Sequence, residues 1–393
     1  MSSTLAIDGG TPVREAPFPR WPVAGEEEGA AIAEVLASGR WGSTHGDRVS
    51  GFETAFAQYQ QAAHGICLTN GTLALVAALH AMGVGHGDEV IVPAYTFVAS
   101  ASAVLFANAV PVFADIRADT HLLDPQQIEA LITPRTRAIM AVHIAGRPCD
   151  MDALLDIGAR HGIPVIEDAA QAHGASWRGR RVGAIGSCGT FSFQTSKNIS
   201  AGEGGAVVTD DEKLADEVYS MVNLGRVRGG GWYQHDRVGY NLRLTEFQAA
   251  VLDAQLRRHP QQQATRSANA ALLASLLRDT EVVLPSEDPR VTEHGLHLFL
   301  FQVPGRDRDG FVQALAAEGI PCMAGYQGLH RNEALRQKAE ALASLTGAPL
   351  PSWDCPVTDR VAAQTVWLPH QTLLGSADDT ADIAAAVSKV LGA

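Results

Sequence analysis

The chain is poor in the residues that mark several classes of protein. Its 393 residues include only five cysteines: Cys67, Cys149, Cys188, Cys322 and Cys355. The number is odd and no two are spaced Cys-x-x-Cys, so neither a disulfide framework nor a thiolate zinc site is expected. Positive charge is in deficit. The 30 Lys and Arg against 43 Asp and Glu give a formal net charge of −13, which argues against nucleic acid or anionic membrane as the main partner. A phosphorylated ligand is still compatible, held locally by backbone N–H groups and one lysine. Long apolar runs are lacking too; the stretch from Ala99 to Val112 is too short and interrupted to span a membrane. Met1 to Asp8 shows no basic segment followed by an apolar core, so no leader is predicted and the cytoplasm is the expected compartment. His143, His173, His235 and the other histidines lack metal-ligand spacing, and no metal is assigned. A Gly-x-Ser-x-Gly elbow is absent, which removes the local case for a serine hydrolase.

What is present describes a globular protein, with 46% hydrophobic and 19% charged residues. The length predicts two lobes. Residues 1–25, rich in Gly and Pro, read as an extended arm, residues 26–255 as a large domain and residues 256–393 as a smaller one. In the large domain, short apolar strands at 66–68, 89–92, 110–113, 138–142 and 164–167 alternate with helices at 72–82 and 150–161. Two further β segments, 190–193 and 205–209, follow. This alternation predicts an α/β domain whose central sheet is mainly parallel and flanked by helices. After a helix at 245–258, a strand at 296–303 and helices at 308–318 and 378–391 predict an α+β lobe.

The residues that carry chemistry lie at strand ends. Lys197 follows the β-prone Phe191-Ser192-Phe193 and precedes a glycine-rich turn ending at Gly205. Asp168 closes the strand Val165-Ile-Glu-Asp. A Schiff-base lysine together with a carboxylate for a pyridinium nitrogen is the pairing that pyridoxal phosphate chemistry requires. Taken singly, a lysine is a solvated charge and Asp168 a helix cap. Thr69-Asn-Gly71-Thr72 joins a strand to a helix start, where unpaired N–H groups and the dipole suit a phosphate; an ordinary capped turn looks the same. Phe97, in Pro93-Ala-Tyr-Thr-Phe, is placed to stack on a planar ring or to pack under a loop. Ser192 offers a hydroxyl to the phosphate. The competing dinucleotide site fails: Gly83-Val-Gly85-His-Gly87 has the wrong spacing for G-x-G-x-x-G and follows a helix rather than a strand.

These segments, with Glu167-Asp-Ala-Ala-Gln171-Ala-His-Gly174 and Gly239-Tyr-Asn241-Leu-Arg-Leu-Thr-Glu246, resemble the DegT/StrS-type aminotransferases, pyridoxal-phosphate enzymes that aminate keto sugars and cyclitols. They occur in the family's order over roughly residues 10–390. The resemblance implies fold-type-I architecture and a homodimer with composite active sites. It implies Lys197 as the Schiff-base lysine and proton shuttle, Asp168 at the ring nitrogen, Phe97 on the ring and Gln171 on the phenolic side. Gly71, Thr72 and Ser192 would hold the phosphate, with Asn241 from the other subunit. Histidine replaces the lysine in the family's dehydratases, so Lys197 implies a transaminase drawing on glutamate or glutamine.

By position, Tyr326 and His330, in Gly325-Tyr-Gln-Gly-Leu-His, are candidates to face the acceptor. Arg226 in a glycine-rich loop and His370 near the C terminus are further candidates. Ordinary solvated loops are the alternative for each. Val366 to Gly375 looks more like members acting on cyclitols such as scyllo-inosose, or like 3-amino-5-hydroxybenzoate synthases, than the nucleotide-sugar branch. The expected acceptor is therefore a keto-cyclitol or keto-sugar in aminosugar, aminocyclitol or antibiotic assembly. Two alternatives stand beside it: an aromatising amine synthase, and a ligand-binding regulator that has kept the fold.

Overall fold

The computed structural model describes residues 4–392. Its centre is a seven-stranded sheet in the order His64–Leu68, Gly205–Thr209, Cys188–Ser192, Val165–Asp168, Thr136–Val142, Glu89–Pro93, Val110–Ala114. The last five pair in parallel, and Gly205–Thr209 runs antiparallel to both its neighbours. Helices cover both faces, so strands such as Glu89–Pro93 and Val110–Ala114 are buried along their whole length. This is why they read as continuous apolar runs rather than alternating ones. Parallel strands leave their carboxyl ends on one edge, and Asp168, Pro93 and Ala114 all end there.

Gly71–Ala81 packs across the sheet with seven buried residues, from Gly71 to Leu79. Asn70 caps it, its side chain accepting from Leu73 N at 2.9 Å, so the helix start points at the end of the Cys188–Ser192 strand.

The boundary expected at 255/256 falls inside a helix. Glu246–Leu277 runs unbroken for 32 residues through Pro260. Its last two turns, from Ala270, belong to the core of the small lobe with Phe301, Phe311, Leu368 and Val387. That lobe carries a three-stranded antiparallel sheet, Leu298–Gln302, Thr365–Pro369 and Met323–Ala324. The chain beyond 256 also returns to the large lobe. Leu335, Ala339 and Leu342 of Glu333–Thr346, with Trp353 and Cys355, share a core with Val90 and Phe113; Trp353 meets Phe113 edge-on at 4.8 Å.

The N-terminal arm is anchored at both ends. Glu318 accepts from Ala6 N and Val13 N, Lys389 pairs with Glu318, and Arg14 bridges Asp379 and Asp382. Further on, the indole N–H of Trp21 donates to Thr195 O at 2.9 Å, which brings the arm to the turn that bears Lys197. Helix Glu26–Ser38 then packs on the long helix, with Glu28 paired to Arg258 at 2.7 Å. Among the described residues, no helix is long and apolar enough to cross a membrane, and no cluster suited to a metal ion is found.

Candidate active site

Two carboxylates stand side by side at the end of Val165–Asp168, and their surroundings give them different work. Glu167 is fully buried and accepts from His143 Nε2 at 2.9 Å and from the N–H groups of Gly183, Ile185 and Gly186. All its acceptor capacity is taken, three bonds by the Gly183–Gly186 turn and one by His143. Asp168 keeps capacity free. Its Oδ2 accepts from Ser100 Oγ at 2.7 Å, and its Oδ1 from Ala170 N at 3.2 Å. Ser100 spends its proton on the carboxylate, so Thr96 Oγ1, at 2.9 Å, donates to Ser100. Ser100 sits one turn beyond Thr96, on the helix Val98–Phe106 that Phe97 starts. Sequence reasoning missed it; a serine in the first turn after the aromatic strand end was the only signal.

Lys197 lies in a turn between Cys188–Ser192 and Gly205–Thr209, its own N–H donating to Gln194 O at 2.8 Å. The side chain is half-buried at the surface of the site. Desolvation pushes its amine down to about 8, with Asp168 pulling the other way. An amine in that range is available as a free base at neutral pH in a useful fraction, unlike a solvated lysine.

Opposite, the helix start at Gly71 and Thr72 faces Ser192. A Cβ on Gly71 would come within 2.7 Å of Ser192 Cβ, and one on Gly205 within 2.5 Å of the Asn70 backbone. The cradle is therefore built for backbone, with N–H groups at a helix of 11 residues and one hydroxyl beside them. Phe97 is 52% exposed, with its ring 6.1 Å from that of Tyr326. Gln171 is fixed at both ends: its Oε1 accepts from Ala145 N at 2.7 Å, and its Nε2 donates to Tyr326 OH at 3.1 Å. Tyr326 also packs edge-on against Trp367 at 4.3 Å and Tyr95 at 5.9 Å. Burial pushes its hydroxyl up to about 12, so it stays a neutral donor.

The other expected residues lie beneath this set or outside it. His330 is buried, with Nε2 3.0 Å from Asp359 Oδ1, so it faces that carboxylate rather than open space. His370 is also buried, and its Nε2–H donates to Ser196 O at 3.1 Å, beneath the lysine turn. Arg226 belongs to an exposed loop, where its guanidinium lies 4.4 Å over Trp232. Asn241 is exposed in the same region, bridged to Asn223, which Arg243 also contacts at 3.0 Å. A separate cavity of about 330 Å³, lined by Arg117, Asp119, Arg147 and Arg290, contains none of the Lys197 constellation.

The donor set fits pyridoxal phosphate: a lysine with a depressed pKa, a carboxylate with spare lone pairs, an uncovered aromatic ring and a close-packed backbone turn at a helix start with a hydroxyl beside it. Fold and site define a fold-type-I, pyridoxal-phosphate-dependent aminotransferase. The sequence model of the DegT/DnrJ/EryC1/StrS aminotransferase family matches residues 22–388, and the chain belongs to that family. It is 42% identical over 373 residues to the 3-amino-5-hydroxybenzoate synthase of Amycolatopsis mediterranei, covering 92% of this chain and 94% of that one. It is 41% identical over 419 residues to the L-glutamine:2-deoxy-scyllo-inosose aminotransferase of Streptomyces fradiae, covering 100% and 98%. Among solved structures, a 3-amino-5-hydroxybenzoic acid synthase superposes with a TM-score of 0.90 at 40% identity, covering 96% of this chain and 100% of that one.

Proposed function

We propose that the protein transfers the amino group of L-glutamine or L-glutamate to a cyclic ketone, a keto-cyclitol in preference to a keto-sugar. The observation that carries this reading is the pair of rings left open near Asp168, Phe97 and Tyr326, 6.1 Å apart, with Tyr95 and Trp367 buried behind Tyr326. The pair is aromatic and brings one neutral hydroxyl, which suits the face and edge of an uncharged polyol ring. The full-length match to an L-glutamine:2-deoxy-scyllo-inosose aminotransferase supports it.

The cofactor, when bound, supplies the electron sink that makes the proton on the amino-bearing carbon acidic. This chain's residues do the rest. Asp168, oriented by Ser100 and Ala170 N, would keep the ring nitrogen protonated. Gln171 and Tyr326 would hold the phenolic side. Gly71, Thr72 and Ser192 would hold the phosphate. Lys197 would take up and return the proton that is moved in each half of the reaction; an amine with a pKa of about 8 suits both tasks.

The homodimer belongs to the same proposal. Tyr233 and Val238 are 86% and 93% exposed, and Trp232 and Tyr240 stand open beside them. Such a patch next to Asn241 and Arg226 suits a second copy, whose site would receive the partner's Asn241. A second reading, an aromatising amine synthase, is supported by the 42% match and the TM-score of 0.90. One experiment separates them. The pyridoxamine-loaded protein is offered keto-cyclitols, keto-sugars and aminoshikimate-type ketones. Amination of a keto-cyclitol without an aromatic product supports the first reading. An aromatic amine establishes the second, and conversion of only a nucleotide-linked sugar overturns both.

A further inference from the structure

Lys197 sits in a turn with no strand or helix of its own, and Thr195 and Ser196 are exposed. Yet the residue on each side of it is tied to the small lobe. His370 Nε2–H donates to the carbonyl of Ser196 at 3.1 Å. On the other flank, Asn198 is fully enclosed: its Nδ2 donates to Gly295 O at 2.7 Å, which leaves its Oδ1 to accept from His297 Nδ1–H at 3.1 Å. The two histidines are themselves one unit. His370 N donates to His297 O at 3.2 Å, their rings lie 5.7 Å apart at 30°, and the strands they adjoin pair at Leu298 and Pro369. The arm adds a third hold, since Trp21 donates to Thr195 O and meets the His370 ring edge-on at 4.4 Å.

We propose that His297 and His370 form a clamp through which the small lobe positions Lys197. They are positioning residues for the lysine, and movement of the small lobe relative to the sheet moves the lysine with it. The proposal rests on the reading of Lys197 as the cofactor lysine.

Both hydrogen bonds need a ring proton, on Nε2 of His370 and on Nδ1 of His297, and in a neutral ring that requirement fixes the tautomer. The surroundings enforce neutrality. Burial, then Arg266, and also His173 and Lys197, hold His370 down to about 3, with only the Ser196 carbonyl pulling upward. Burial, then Lys197, His370, His173 and Arg266, hold His297 well below the usual histidine range. Arg266 is fully buried without a carboxylate partner; its Nη2 donates to His259 Nε2 and Gln263 Oε1. A cation there opposes a second charge on any neighbouring ring, so the clamp stays neutral across the working pH range.

The test uses wild type, His297→Leu, His370→Leu, and the donor-preserving His297→Asn and His370→Gln, where Asn mimics Nδ1–H and Gln mimics Nε2–H. Borohydride reduction of wild type with pyridoxal phosphate first establishes whether Lys197 is labelled. If it is not, the reading of Lys197 falls and the clamp falls with it. With Lys197 labelled, two readouts apply. The first is amide exchange of residues 194–199 in the cofactor-free protein. The second is the pH midpoint of the absorbance of the cofactor–lysine adduct. The leucine variants should show faster exchange in that segment alone, a midpoint displaced by about half a unit or more, and kcat lower by roughly ten- to a hundredfold with the donor KM within about twofold. The Asn and Gln variants should recover most of each effect. Where a leucine variant does not fold, Trp21→Phe carries the test, since it removes the indole N–H bond to Thr195 and trims the ring against His370 on a partly exposed arm; it should speed exchange of 194–199. Unchanged exchange and midpoint in folded variants would overturn the clamp while leaving Lys197 in its role.

Discussion

At Lys197 two opposing fields meet: desolvation lowers the amine and Asp168 raises it, leaving it near pH 8. The sign of each perturbation follows. Asp168→Asn removes the upward pull, so the midpoint for attack of the cofactor-free lysine on a pyridoxal phosphate carbonyl should fall below 8; a rise would contradict the assigned field. Lys197→Ala removes the nucleophile and the shuttle, and turnover should drop by on the order of a thousandfold or more in a coupled glutamine assay. Ser100→Ala leaves Asp168 in place but takes away a 2.7 Å hydrogen bond. Turnover should fall by roughly ten- to a hundredfold, as one charged-acceptor bond is worth roughly 1.5–3 kcal/mol. Rotation of Asp168 without any loss would show that Ser100 is not needed.

The strand–turn–helix elements were the most legible part of the sequence. Continuous apolar runs located every strand of the central sheet to within a few residues, because burial on both faces leaves no alternative composition. The helix Glu246–Leu277 was read only as far as 258, and the reason is physical. Around Pro260 it buries His259, Gln263, Arg266 and Asn269, and buried leucines return only at Leu273 and Leu277. An interior built from hydrogen-bonded polar side chains has no hydrophobic periodicity to read. Of the clamp histidines, His370 was legible only as a candidate for the acceptor and His297 not at all, since the two lie 73 positions apart in sequence, 297 to 370, and meet through strand pairing. At this scale the phosphate cradle makes its own prediction. Gly71→Ala places a Cβ 2.7 Å from Ser192 Cβ, so equilibrium dialysis should show cofactor affinity weakened by about tenfold or more in a protein of near-normal fold. Undiminished affinity would remove this turn from the phosphate site.

For the whole molecule, the cluster of neutral buried histidines sets a pH limit. His173 and His370 are held down to about 3 and His121 to about 4, by burial before any other cause, against an ordinary value of 6.5. Between those values and 6.5 the unfolded chain binds protons that the folded one does not. Stability is therefore present above about pH 6.5 and lost as pH falls, by up to about 1.4 kcal/mol per pH unit for each such group. Urea midpoints should decline from pH 7 to pH 5; a flat profile would mean the rings are protonated in the native state. The proposed dimer has its own signature. Lys197→Ala and Asn241→Ala chains, each impaired alone, should regain activity when mixed, because one site of the hybrid then carries both Lys197 and the partner's Asn241. No recovery in a verified hybrid would place Asn241 outside the site.

Everything in the account depends on one amine. The chain contains only four lysines, Lys197, Lys213, Lys338 and Lys389, so covalent trapping is easy to read. The holoprotein is reduced with borohydride, digested and mapped by mass spectrometry, before and after incubation with glutamine. The account predicts the pyridoxyl mass on the peptide bearing Lys197 alone, and its disappearance once glutamine has converted the cofactor to its amine form. Label on any other lysine, or none on a protein that still aminates its ketone, would contradict it.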